Sequence, residues 1–484
     1  MIIFNNGKYK SIYAAEQNEL AQIAETVAQD KDFRPIYHLA PPTGLLNDPN
    51  GLVFDGEKYH LFYQWYPFDA LHGMKHWKHF TTQDFQTFRA ADDLVPCELF
   101  ESHGCYSGGA LLVGDKIAVF YTGNTRRPSD NQRVPYQNLA IFTKEGKLLS
   151  KRPLIENAPQ GYTEHVRDPK PFFTAEGKIR FICGAQRENL TGTAIVFEMD
   201  NLDDTPRLLG ELTLPAFDNQ NVFMWECPDL FKRSHEEKDV FIWSPQGKAR
   251  EQEQFQNNYH AAYAVGKLDN LHFTAEHIAE LDQGFDFYAP QTFYNTQTTM
   301  FGWIGLPDLT YPTDRYKWHS MLTMPRALRL VDDQLYQQPI TEIYQNMTAL
   351  QSISVTETTE IPNLDRAYLT FDAENRPFKL SFFHNTQNQR LTLSYDGETL
   401  CLDRNATEQT PLMEQFGAQR YCHIPNLHKV EIFFDRSVAE IFLNDGEKAM
   451  TSRFFIADRE NHLSAENIST IQIAYPQAIK YESA

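Results

Sequence analysis

The chain has 484 residues, enough for two domains with separate cores. Its 44 Lys and Arg against 64 Asp and Glu give a net charge of −20, which argues against nucleic acid or an anionic membrane as a partner. No apolar run approaches the ~18 residues of a membrane span, so a small-molecule substrate is expected.

Residues 1–35 read as an N-terminal extension. They lack the basic segment and long apolar run of a secretion signal. Residues 14–30 have the period of an amphipathic helix, with Leu20, Ile23, Ala24 and Val27 on one face. The cysteines (97, 105, 183, 227, 401 and 422) are scattered and form no Cys-x-x-Cys pair, as in a reduced protein. Cytoplasmic localisation is therefore expected, and the Asn-x-Ser/Thr sequons at Asn189, Asn346, Asn405 and Asn467 are read as chance matches.

Residues 36–342 carry a weak period of about sixty residues. Five segments share one layout, beginning at Asn47, Tyr106, Arg167, Glu226 and Tyr288: a polar start, an apolar strand, a turn, then a second apolar strand. Asp-Gly, Gly-Asp and Glu-Gly at the turns are residues that hairpins favour. Short-strand repeats of this length indicate an all-β, five-bladed β-propeller. Equivalent strand starts then face one channel. Asp48, Asp168 and Glu226 share that phase in repeats one, three and four, and Ser107 holds it in repeat two. Taken singly, Asn-Asp-Pro-Asn-Gly is an ordinary turn sequence; the shared phase is what makes the acids a candidate site.

Residues 343–355 read as a linker, and 356–484 as an antiparallel β-sandwich. Period-two alternation marks Leu391–Tyr395 and Val430–Phe434, while Asp396-Gly397 and Asn444-Asp445-Gly446 mark tight turns. Without clustered acids or histidines, this half is assigned a structural role or a homodimer contact.

Two carboxylates flanking a glycosidic bond are the minimum apparatus of glycoside hydrolysis, one attacking and one carrying a proton. Asp48 lies among the amides Asn47 and Asn50, which favour a carboxylate. Glu226 lies between Met224-Trp225 and Cys227-Pro228, which favours the acid form.

At these residues the chain resembles glycoside hydrolase family 32, the invertases and fructan hydrolases. The resemblance rests on His38–Gly51 (HLAPPTGLLNDPNG), Val166–Pro169 and Met224–Pro228, supported by Phe62–Gln64, Tyr106–Gly108 and Asp435–Ser437. It implies a five-bladed propeller followed by a sandwich, retention at the anomeric carbon, Asp48 as nucleophile and Glu226 as general acid/base. Asp168 would grip fructose hydroxyls, and Arg167 would hold that carboxylate charged. Asn47, Gln64, Tyr106, Ser107 and Arg167 are expected to bind substrate. Leu45-Leu46 replaces the family's more usual Trp-Met, so a differently shaped pocket wall is expected there. A loop tryptophan of the family is His72 here, and Trp77 lies beside that loop.

The string His72-Gly-Met-Lys-His-Trp77 is similar to the bacterial intracellular branch, which cleaves sucrose 6-phosphate. Lys75 and Lys78 are accordingly the candidate phosphate contacts. His72, His76 and His79 show no helical period and no matching carboxylate or thiol, so no metal is assigned; no Gly-rich phosphate loop precedes a helix, so no nucleotide cofactor is assigned either. Fructan hydrolysis or fructosyl transfer by the same acids, and a non-catalytic sugar-binding propeller, are the other readings.

Overall fold

The computed structural model describes residues 1–233 and 238–483. The fold is all-β, with only short helices among the strands. Five sheets, antiparallel apart from parallel edge strands on the first, are each opened by one repeat and fill the first two-thirds of the described residues. The first runs through Gly44–Phe54, Tyr59–Tyr66, His76–Thr82 and Thr87–Ala90 in order. The second contains Cys105–Val113, Lys116–Arg126, Arg133–Thr143 and Leu148–Glu156. Tyr162–Phe173 opens the third, Met224–Arg233 the fourth and Tyr288–Phe293 the fifth. The turn of the fourth repeat, at 234–237, lies outside the described residues. First strands of neighbouring sheets contact one another in a closed ring, the fifth returning to the first.

Second strands such as Lys116–Arg126 and Lys238–Gln246 are buried along nearly their whole length. A strand covered on both faces needs a continuous apolar run rather than alternation, which is what Ile117–Tyr121 and Val240–Trp243 supply.

Every first hairpin breaks register at the same place. The shifts fall between Leu46 and Pro49, Tyr106 and Gly108, Arg167 and Lys170, Glu226 and Asp229, and Tyr288 and Gln291. Asp168, Cys227 and Ala289 have φ of 64°, 48° and 47° at these irregularities. A bulge bends its strand and re-aims a side chain, so the repeat motif is a turning device as well as a chemical one.

The N-terminal helix is shorter than expected, Glu19–Val27, because Asn18 at its start is left-handed (φ 65°). Leu20 and Ile23 pack against Leu45, Tyr66, Phe68 and Met74. Ahead of it, Asn5–Asn6 pairs with Tyr9–Lys10, and the carbonyl of Lys8 accepts from the Met74 amide at 2.8 Å. That bond brings Lys8 beside the 72–75 loop.

Two six-stranded sheets follow, and their facing side chains share one core, with Phe371, Ile432 and Phe434 from one and Phe378, Phe382 and Leu393 from the other. Two boundaries differ from expectation. Within the expected linker, Gln351–Ser354 is a strand paired with Thr470–Ala474. At the far end, Lys480–Glu482 leaves these sheets and pairs in parallel with Thr87–Ala90 of the first sheet.

Asp435 ties this half to the segment that leads into the first strand of the ring. Its carboxylate accepts the amides of Ile36, Tyr37 and His38 at 2.7, 2.8 and 3.0 Å, while Ser437 Oγ donates to the Phe33 carbonyl at 2.8 Å. The His38 ring bridges Asp435 at 2.9 Å and Glu440 at 2.8 Å. Burial alone would lower the His38 pKa, but hydrogen bonds and charge from these two acids outweigh it and raise it to about 9.

Candidate active site

The bulged strands aim their polar side chains at a cavity of about 420 Å³ at the end of the ring. Asp48, Asp168 and Glu226 all line it, with Asn47, Gln64, His72, Lys75, Tyr106, Ser107 and Arg167.

A chain of donors ends on Asp48. The Lys75 ammonium donates to Asn47 Oδ1 at 2.7 Å, Asn47 Nδ2 donates to Gln64 Oε1, Gln64 Nε2 donates to Ser107 Oγ at 2.8 Å, and Ser107 Oγ donates to Asp48 Oδ2 at 2.5 Å. Burial pushes the Asp48 carboxyl upward; the Ser107 bond opposes it, Glu226 adds to it, and Asn47 and Lys75 oppose it. Ionisation of Asp48 thus rests on these donors. The adjacent Asn50, expected to do this work, gives its amide to the Asp48 backbone carbonyl instead, at 3.1 Å.

Asp168 accepts the Cys227 amide at 2.9 Å, and its own amide donates to Thr122 Oγ1 at 3.1 Å. The Cys227 sulfur lies 3.8 Å from Asp48 Oδ2 and 3.7 Å from Asp168 Oδ2, so one thiol touches both carboxylates. Burial, followed by the charge of Glu226, raises the Asp168 carboxyl, while Arg167 opposes the rise.

Arg167 is nevertheless bonded elsewhere. Its Nε and Nη2 donate to Glu226 Oε1 at 2.9 and 2.6 Å, and the Tyr288 hydroxyl donates to Glu226 Oε2 at 2.7 Å. The apolar surroundings expected for Glu226 are absent because Met224 and Trp225 turn into the core, where they are 1% and 4% exposed. The acid/base candidate is held by a guanidinium and a phenol.

Four expected contacts lie outside the cavity. Leu45 packs with Tyr66, Phe68 and Met74, and Leu46 joins the main core. Trp77 is fully buried between Phe62 and Tyr121. Lys78, on the opposite face of that strand, spends its ammonium on Asp93 at 3.0 Å. Of the two lysines only Lys75, in the loop before the strand, reaches the cavity, where it also donates to His72 Nδ1 at 2.9 Å. Burial lowers its pKa to about 7 against the attraction of Asp48.

Lys8, Tyr9, Arg126, Arg133, Gln246, Tyr259, Trp303 and Asp308 also line the cavity. None was singled out in the sequence as a binding residue. Trp303 pairs with Tyr288 and Gln246 with Met224, so both sit opposite the opening strand of a repeat.

Residues 38–339 match the model of the glycosyl hydrolases family 32 N-terminal domain, and residues 333–475 match that of the family 32 C-terminal domain. The chain belongs to glycosyl hydrolase family 32. Among its family 32 relatives, the sucrose-6-phosphate hydrolase of Bacillus subtilis (strain 168) is 38% identical over 455 residues, covering 89% of this chain and 91% of the relative. The solved structure of sucrose-6-phosphate hydrolase from Lactobacillus gasseri superposes with a TM-score of 0.89 at 29% identity, covering 98% of both chains. The Bombyx mori GH32 β-fructofuranosidase BmSUC1 is similar at a TM-score of 0.79 and 26% identity, covering 96% of this chain and all (100%) of that one.

Proposed function

We propose that this family 32 chain is a retaining β-fructofuranosidase that hydrolyses the fructosyl bond of sucrose 6-phosphate in preference to sucrose. The observation that carries the glycosidase reading is the convergence of Asp48, Asp168 and Glu226, from three different repeats, on one disaccharide-sized cavity. Similarity to sucrose-6-phosphate hydrolases supports the phosphorylated substrate. The closed ring of five sheets is read as a five-bladed propeller, and the paired six-stranded sheets as a sandwich.

Asp48 attacks the anomeric carbon of the fructosyl unit as Glu226 gives its proton to the departing glucosyl oxygen. The C–O bond breaks and an Asp48–fructosyl ester forms. Glu226, now a base, takes a proton from water; the water oxygen displaces Asp48 and restores the starting enzyme. Asp168 holds fructose hydroxyls and stabilises the positive charge that develops on the ring. Arg167 and Tyr288 position Glu226 between these two acts. A phosphorylated disaccharide does not cross a bilayer unaided, so a cytoplasmic place of work goes with this substrate.

The test is a parallel assay on sucrose 6-phosphate, sucrose, inulin and levan, with products separated to detect transfer. A higher kcat/KM for sucrose 6-phosphate is expected. Equal values for the first two substrates would leave a plain invertase, and a preference for inulin or levan would make it a fructan hydrolase.

A further inference from the structure

In sucrose 6-phosphate the ester sits on the glucosyl half, the half that leaves. With the fructosyl unit against Asp48, the phosphate must lie outward of the acids, towards the mouth. Lys75 is too deep for this role and its ammonium is already shared by Asn47 and His72.

The mouth holds a different set of cations. Arg126 and Arg133 end adjacent strands of the second sheet and are direct partners in the ladder. Two like charges directly opposite in a sheet repel each other, and an anion bound between them would relieve that repulsion. The guanidinium of Arg133 sits 5.8 Å from the ring centre of Tyr106, a cavity residue, and Arg126 donates to the Asn131 carbonyl at 3.0 Å. Lys8 lines the same cavity from the N-terminal hairpin. Among the described residues none of the three has a carboxylate within ion-pair distance. By contrast, the neighbouring Arg127 is paired with Asp130 at 3.5 Å. Asp308, which also lines the cavity, takes a hydrogen bond from Tyr259 at 3.2 Å. Three cations without a carboxylate partner thus surround one opening in a chain of net charge −20.

Resting on the phosphorylated-disaccharide reading above, we propose that Arg126 and Arg133, with Lys8 completing the rim, clamp the phosphate of the leaving sugar. Two guanidinium forks side by side match the oxygens of a phosphate monoester. The N-terminal hairpin is then part of the substrate site.

The experiment compares the unmodified enzyme with Arg126→Gln/Arg133→Gln and Arg126→Lys/Arg133→Lys on both sugars. The glutamine pair is expected to lose at least about tenfold in kcat/KM on sucrose 6-phosphate, mainly through KM, given the strength of charge-assisted hydrogen bonds. Its loss on sucrose is expected to stay within about threefold, and the lysine pair is expected to recover part of the loss because the charges remain. An unchanged constant for sucrose 6-phosphate, or equal losses on both sugars, overturns the clamp. A second readout separates the two claims: inhibition of sucrose cleavage by glucose 6-phosphate and by glucose. An enzyme without preference for sucrose 6-phosphate refutes the substrate reading. The clamp stands if glucose 6-phosphate inhibits more strongly than glucose and the glutamine pair abolishes the difference; equal inhibition by the two in the unmodified enzyme overturns it.

Discussion

Ser107→Ala deletes the last link of the donor chain, the 2.5 Å bond to Asp48 Oδ2. Hydrogen bonds to charged acceptors contribute about 1.5–3 kcal/mol, or about 1–2 pH units at 1.36 kcal/mol per unit. The bond favours the carboxylate, so its loss raises the Asp48 pKa further above its ordinary value. A nucleophile must be ionised, and the acid limb of kcat/KM against pH should therefore move up by about 1–2 units. The substitution also leaves Gln64 Nε2 without its acceptor, which loosens Asn47. On the acid side of that limb a fall of about 10–100-fold in kcat/KM is expected. Stopped-time assays from pH 4 to 9 measure both quantities, with melting temperature as a control for folding. An acid limb that stays in place or moves down, at near-normal rate, refutes the reasoning.

Asp168→Asn should lower kcat strongly with a smaller change in KM, because its contacts tighten as charge develops on the ring; a normal kcat with a raised KM would contradict that role. His38 tests the joint between the two halves. Its folded pKa of about 9 exceeds the ordinary 6.5, so its stabilisation is complete below about pH 6.5 and is lost as pH rises through 9. The amount is on the order of 3 kcal/mol, and the melting temperature gap between the unmodified protein and His38→Gln should narrow from pH 6 to pH 9.5; a constant gap would count against it. Trp77→Ala should cost about 3–5 kcal/mol of stability as a core cavity, measured by denaturant titration, while Lys78→Ala should leave the ratio of specificity constants for the two sugars unchanged.

The periodic parts of the molecule were legible in the sequence. Each repeat is the same hairpin, so turn residues and apolar runs recur, and the phase shared by Asp48, Asp168 and Glu226 survives folding. Orientation was harder to read. Simple alternation fails at the register breaks, where Leu45 and Leu46 turn into packing while Asn47 and Asp48 face the cavity. Trp77 and Lys78 lie in a regular strand, but its faces point to the core and to Asp93, not to the opening. Partners across the ring left no local trace: nothing around Arg167 or Tyr288 in sequence announces Glu226 as their shared acceptor. The same holds for Lys8, Arg126 and Arg133, which meet only because a terminal hairpin and a sheet end close on one mouth.

The central claim is covalent catalysis by Asp48 with Glu226 as acid/base, and a trapped intermediate tests it most directly. Glu226→Gln, given an aryl fructofuranoside whose leaving group departs without protonation, should form the ester and fail to hydrolyse it. Acid quenching, proteolysis and mass spectrometry should then place a fructosyl group on the peptide containing Asp48, at that residue. A fructosyl group on Asp168, or turnover with no protein-bound fructosyl at any time, would contradict the mechanism.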